Sequence, residues 1–328
     1  MTINEKVFGK DAAGREIFLH TVSNGIMEIS VMNYGATLVS VRTLDRNGDT
    51  GEITLGLDSL NDYMGDHPFL GSSVGRFANR IARGSFTLDG KTHTLAKNNG
   101  PNHLHGGMVG YNKVTWKHEE AETNDSLGLR YTYLSPDGEE GYPGNLAVSI
   151  LFRLTKTNEL IIEYEAETDK PTPVNLTNHA YWNLKGPGKS DIYDHFLTLY
   201  ADSYLPVDDN LIPTGKIAPV AGTPLDFRME KAIGRDISAA GGYDHCFVIR
   251  GRDSDLKTAA KVFEPDTGRT MTVQATQPGI QFYSGNFLNG LAGRNSGVYK
   301  KHGGFCLETE AFPDAVNQPS FPSAILMP

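Results

Sequence analysis

The chain has 328 residues, 39% of them hydrophobic, with 30 Lys and Arg against 39 Asp and Glu, for a net charge of −9. That apolar content supports a sizeable core, and the acidic balance argues against nucleic acid or an anionic membrane surface as partner. Charges run throughout Met1 to His20, so no secretory signal is expected, and no run approaches the roughly 18 apolar residues of a membrane-spanning helix. Cys246 and Cys306 each sit beside a phenylalanine and read as buried free thiols rather than a disulfide framework. A soluble cytoplasmic protein is expected.

Glycine and proline punctuate the chain often enough to leave little room for long helices. Met27 to Thr43 reads as two short strands around a bend at Asn33 and Gly35. Ser59 to Met64 is one short helical segment. Ser85 to Leu95 is the clearest hairpin, with Phe86 and Leu88 alternating with polar residues and Asp89-Gly90 supplying the turn. Leu146 to Leu154 and Leu160 to Glu167 pair around Lys156, Thr157 and Asn158. Met229 to Gly234 is a second short helical segment, and Ala260 to Thr276 forms a third strand pair turning at Asp266, Thr267 and Gly268. Internal repeats, linkers and βαβ alternation are absent from the sequence, so residues 1–328 are expected to form one all-β domain, a large antiparallel β-sandwich with few short helices. The dinucleotide fingerprint and the P-loop are also absent, and no cofactor is expected.

The chemistry concentrates in a few stretches. Gly304 to Pro319 runs from a buried strand (Phe305, Cys306, Leu307) directly into Glu308 and Glu310. Strand alternation puts both carboxylates on one face. They are either acids on a strand that has reached water or groups kept for chemistry, and spacing does not choose between them. Phe312, Pro313 and Pro319 then predict an ordered loop. Val74 to Gly84 clusters Arg76, Asn79, Arg80 and Arg83, rigid donor forks suited to carboxylates, phosphates or sugar hydroxyls. In Asn98 to Gly107, His103 and His105 share a face if the segment is extended, a metal pair without a local third ligand, so no metal is expected. Gly106 and Gly107 suit a turn that lets a ligand approach the backbone. His179 lies among Asn175, Asn178, Asn183, Tyr181 and Trp182, a palette of amides and aromatics fitted to carbohydrate. Asp244 precedes an apolar strand, and Gln281 is a polar residue inside an aromatic one.

Taken together, GRFANRIARGSFTLDGK, NNGPNHLHGG, NLTNHAYWNL, YDHCF, GIQFYSGNF and GFCLETEAFPDAVNQP resemble the aldose 1-epimerase (galactose mutarotase) family, in the family's order and over nearly the whole chain. The resemblance implies a large antiparallel β-sandwich and an isomerase acting on a free aldose such as galactose or glucose. It implies Glu308, of the LET segment, as general base and His179 as general acid, with His105 rather than His103 as the second active-site histidine. Asn79, Arg80, Asp244 and Gln281 match positions that contact the sugar, and Tyr181 matches an aromatic near it. Family members usually continue past FPSAIL into a further strand, whereas this sequence ends at Pro328.

Rival readings are a hexose-phosphate epimerase using the Arg76–Arg83 cluster, a non-catalytic carbohydrate-binding protein, and a glycosidase pairing Glu308 with Asp244. The expected partner is a small aldose, with no nucleic acid or membrane, and the chain is expected to be a monomer or homodimer.

Overall fold

A computed structural model of the chain describes residues 1–252 and 254–328. Five strands follow one another in a meander: β1 (Thr2–Lys10), β2 (Glu16–Ser23), β3 (Glu28–Met32), β4 (Thr37–Leu44) and β5 (Thr50–Glu52). A second meander of four joins Lys117–Glu122, Ser126–Ser135, Leu146–Thr155 and Leu160–Thr168. A further four-stranded sheet runs in the order Lys231–Ala232, Phe196–Leu199, Lys257–Phe263, Thr270–Ala275. The central sheet has six strands, in the order Tyr181–Trp182, Phe305–Glu310, Gly279–Tyr283, Asp244–Ile249, Ala201–Tyr204, Ala218–Pro219. Pairing within all four sheets is antiparallel, as in a fold built from hairpins rather than crossovers.

The turns follow their chemistry. Asp89 (φ 50°) and Gly90 (φ 74°) both take the left-handed conformation that a two-residue hairpin between Ser85–Leu88 and Lys91–Thr94 needs. The one α-helix among the described residues, α1 (Leu60–Met64), starts at Ser59, whose hydroxyl accepts from the Asp62 N–H while the Asp62 carboxylate accepts from the Ser59 N–H. The second expected helix does not form. Lys231–Ala232 pairs with Phe196–Leu197 as an edge strand, and only a 3₁₀ turn follows, over Ile233–Arg235. Side-chain contacts hold that segment extended: the Lys231 ammonium donates to Pro224 O and Asp236 and lies 4.0 Å from the Phe227 ring centroid. At the other end of the chain, Ile325–Leu326 pairs with Thr172–Pro173. No described helix is long and apolar enough to cross a membrane.

The central sheet has two buried faces of opposite character. Phe305, Leu307, Ile280, Phe282, Phe247 and Ile249 alternate toward the main core, which they share with Val31 and Leu38 of the first meander, Tyr131 and Phe152 of the second, and Leu197 and Val262 of the third sheet. The residues between them (Cys306, Glu308, Glu310, Gln281, Asp244) point the other way. Cys306, Glu308, Glu310 and Gln281 are buried there, under segments from the 70s, the 100s and the 170s, while Asp244 is half-buried.

Phe282 is fully buried against Phe227 and Tyr243, with ring centroids 5.5 and 5.0 Å away. Phe282→Ala is therefore expected to cost about 3–5 kcal/mol in urea unfolding. A loss below about 1 kcal/mol would show that this face does not carry the core.

Candidate active site

Glu308 and Glu310 are 3% and 0% exposed, so the strand carrying them has not run out into solvent. Glu308 lies opposite Gln281 on the neighbouring strand, and Gln281 lies opposite Cys246 on the next, two residues from Asp244. Gln281 Nε2 donates to Asp244 Oδ1 at 2.6 Å. Four of the residues singled out in the sequence thus share one polar sheet face.

Loops bring the rest. The backbone of His179 is pinned to the Gly71–Ser72 segment, donating to Ser72 O and accepting from the Gly71 N–H. Its ring lies over the strand, with Nε2 3.6 Å from Glu308 Oε2 and Nδ1 3.5 Å from Cys306 Sγ. Tyr181 stacks on that ring at 5.0 Å and Phe69 at 5.9 Å, fixing its plane. His105 accepts the Asn79 N–H at Nδ1, which leaves the proton of a neutral ring on Nε2. Its ring centroid is 5.3 Å from that of His179. Asn79 donates from its side chain to Glu310 Oε1 at 3.0 Å. Arg80 is 9% exposed and donates from Nε to Asn99. Phe69, Asn79 and His105 all have left-handed backbones, φ 58°, 61° and 51°, a strain of about 1–3 kcal/mol each that the surrounding packing must hold.

Several sequence readings change here. His103 and His105 do not share a face. The turn at His105 swings His103 away, and its ring bonds Ala96 O and the Tyr142 hydroxyl instead. Gly106 makes room for the chain itself: a Cβ there would fall 1.8 Å from Gly75 O. Asn175, Asn178 and Asn183 do not face a ligand, since their side chains donate to Ala78 O, Gly71 O and Gly303 O respectively. Arg76 is 2% exposed and anchored to Ser135, Pro143 and Gly144, while Arg83 is exposed, so the arginine cluster does not converge on a phosphate. Phe69, in a His-Pro-Phe loop without a recognisable signal, was not foreseen. Glu310 was visible as a same-face neighbour of Glu308, but nothing in the sequence gave it a role.

Burial dominates the electrostatics. It drives the Glu308 carboxyl well above the usual range, helped by the negative charges of Glu310 and Asp244 and opposed by Arg80. Burial likewise pushes Glu310 up to about 8, with the Asn79 hydrogen bond and Arg80 pulling back. The same desolvation lowers His179 to about 4 and His105 well below the ordinary imidazole value. Burial at this site thus favours the neutral form of both carboxyls and of both imidazoles. Three buried oxygens there lack a hydrogen-bond partner among the described residues: Gln281 Oε1, Glu308 Oε2 and Glu310 Oε2. The ligand atoms of His105, His179 and Glu308 lie within 4.8 Å of one another, so in donor type this trio can also hold a zinc-like ion.

A raised carboxyl pKa favours the fold while the group is protonated. The native state holds more protons than the unfolded chain above about pH 4.5, and this contribution is lost as pH rises through about 8. Glu310→Gln removes the titration and keeps the shape. Its melting temperature should rise relative to the parent's as pH goes from about 5 to about 8.5. A difference that does not change with pH would contradict the assignment of a strained, buried carboxyl.

The family model for aldose 1-epimerase matches residues 19–328. The galactose mutarotase of Sus scrofa is 45% identical over 332 residues, covering 100% of this chain and 95% of the relative. The aldose 1-epimerase of Escherichia coli (strain K12) is 42% identical, covering 92% of this chain and 87% of the relative. Among solved structures, galactose 1-epimerase from Lactobacillus acidophilus superposes with a TM-score of 0.86 at 31% identity, covering 100% of this chain and 95% of that one. With similarity of this extent running from β2 to Pro328, the protein belongs to the aldose 1-epimerase family.

Proposed function

We propose that this chain interconverts the α and β anomers of free hexoses such as galactose and glucose, with Glu308 as general base and His179 as general acid. The observation that carries the reading is a set of three unpartnered buried oxygens on one sheet face, Gln281 Oε1, Glu308 Oε2 and Glu310 Oε2, with the His179 imidazole 3.6 Å from Glu308. Buried polar atoms cost free energy unless a partner reaches them. A monosaccharide offers a ring of hydroxyls that both donate and accept.

Ring opening removes the C1 hydroxyl proton and delivers one to the ring oxygen as the C1–O5 bond breaks. Closure on the other face reverses both transfers, so one proton circulates and none is consumed. Glu308 and His179 face each other at 3.6 Å and together supply a proton and a vacant basic site. Burial favours the protonated form of Glu308. In the reacting complex the proton sits on His179, positioned against the ring oxygen, and the Glu308 carboxylate takes the C1 proton. Arg80, which favours the ionised form of Glu308, supports that shift. Asn79, Arg80, Asp244 and Gln281 hold the remaining hydroxyls, and His105 lines the cavity beside His179. Tyr181 serves from beneath, by stacking on the His179 ring. The whole chain acts as one catalytic domain, in the cytoplasm, where Cys246 and Cys306 remain free thiols.

The rivals fit less well. Phosphorylated hexoses find no arginine cluster, since Arg76 is consumed by the chain's own carbonyls. A pure binding module has no use for an opposed carboxyl and imidazole.

Polarimetry on freshly dissolved α-D-galactose tests the roles. Glu308→Ala and His179→Asn should each lower kcat by about 10²–10⁴-fold, whereas Arg80→Ala should raise KM as well. A damaging Glu310→Ala beside a benign Glu308→Ala would transfer the base to Glu310. The rate should also be bell-shaped in pH, with limbs that belong to the coupled carboxyl–imidazole system rather than to either residue. A flat profile through the acid and neutral range would contradict it.

A further inference from the structure

Far from the sugar cavity in the fold, a second group of ligand-type side chains meets where the edge strand β1 passes the edge strand Lys117–Glu122. Glu5 and His20 lie opposite each other in the β1–β2 ladder, and His118 lies opposite Tyr131 in the neighbouring sheet. Glu5 Oε2 is 2.9 Å from His20 Nε2 and 3.4 Å from His118 Nε2. The two imidazole rings have centroids 4.4 Å apart, and the ligand atoms of all three residues fall within 4.8 Å of one another. His20 is 1% exposed, while the Glu5 and His118 side chains keep 48% and 23% of their surface in water. The group is thus anchored at its base and open at its mouth.

A buried tyrosine sets the character of His20. The Tyr131 hydroxyl lies 3.1 Å from His20 Nδ1 and 3.3 Å from Val31 O. When that hydroxyl donates its one proton to Val31 O, it accepts the Nδ1–H of His20 and leaves a lone pair on Nε2. The lone pair then faces the Glu5 carboxylate at 2.9 Å, a pairing that either a proton or a metal ion between them can bridge. Oriented imidazoles backed by an outer hydrogen-bond partner are how proteins prepare histidine for a metal. Tetrahedral zinc with bonds of about 2.0–2.1 Å separates neighbouring donors by about 3.3 Å, and the two separations here fall on either side of that value.

We propose that Glu5, His20 and His118 bind a first-row divalent transition ion, with Zn²⁺ as the fitting probe and the fourth position open to water. Two nitrogens and one carboxylate oxygen are a donor set for such ions rather than for magnesium or calcium. Bound there, the ion ties the mostly exposed β1 to the sheet containing Tyr131. It takes no part in the sugar chemistry.

Tag-free, chelator-stripped protein titrated with Zn²⁺ by calorimetry, and with Co²⁺ followed by visible absorption, tests the site. The His105→Asn variant reports the competing trio in the sugar cavity. Parent and His105→Asn should bind Zn²⁺ with a rise in melting temperature and give the intense spectrum of tetrahedral Co²⁺. His118→Gln and Glu5→Gln should weaken binding at least tenfold, lose the thermal shift, and keep the parent's mutarotation rate. The proposal is overturned if binding survives when His118→Gln and Glu5→Gln are each made in the His105→Asn background, or is lost only in His105→Asn. Absence of binding to the parent below about 1 mM would also overturn it, reducing the cluster to a His20–Glu5 hydrogen bond.

Discussion

The structure depends on keeping a polar sheet face dry. A strand with Glu308 and Glu310 on one side normally turns that side to solvent, where each carboxylate is hydrated at no cost. Here loops carrying Phe69, Asn79, His105 and His179 lie over the Glu308–Glu310 end of the face, and burial becomes the largest influence on Glu308, Glu310, His105 and His179. Carboxyls rise and imidazoles fall. The free energy invested in that desolvation is what can make a carboxyl and an imidazole exchange a proton under neutral conditions.

The covering loops owe their placement to the same sheet. The His179 segment is laid down between Gly71–Ser72 and the Phe305–Glu310 strand, with the Thr177 hydroxyl donating to Thr309 O. Asn79 reaches Glu310, and its N–H fixes the tautomer of His105, so one residue couples the carboxyl pair to the second histidine. Asn175, which the sequence placed among amides suited to a sugar, instead bonds Ala78 and Ala311, stapling the arginine loop to the end of the Phe305–Glu310 strand. These amides act one layer out from the chemistry, by holding the loops that hold the site.

Local signals carried the fold a long way. The Asp89-Gly90 turn, the strand pairs at 146–167 and 260–276, and the Ser59-capped helix follow from residue patterns that tertiary context did not override. Met229 to Gly234 failed because Lys231 found an aromatic ring and two acceptors in an extended conformation, which helix propensity cannot register. The site was legible differently. Glu308, Gln281 and Asp244 could be placed on strands, yet their common face depends on strand order, and order between distant hairpins is not written in any one of them. Choosing Glu308 over Glu310 took the family resemblance, since alternation treats the two alike. Phe69 was invisible because its role lies in a left-handed turn that sets its ring against two histidines from elsewhere in the chain, stacked on His179 and tilted against His105.

A crystal structure of the Glu308→Gln variant soaked with galactose bears most directly on whether a single sugar lies between the two proton-transfer groups. The ring oxygen should sit within about 3.2 Å of His179 Nε2, and the C1 hydroxyl at the same distance from the amide that replaces the Glu308 carboxylate. A sugar bound with its anomeric carbon turned away from both, or bound outside this cavity, would contradict it.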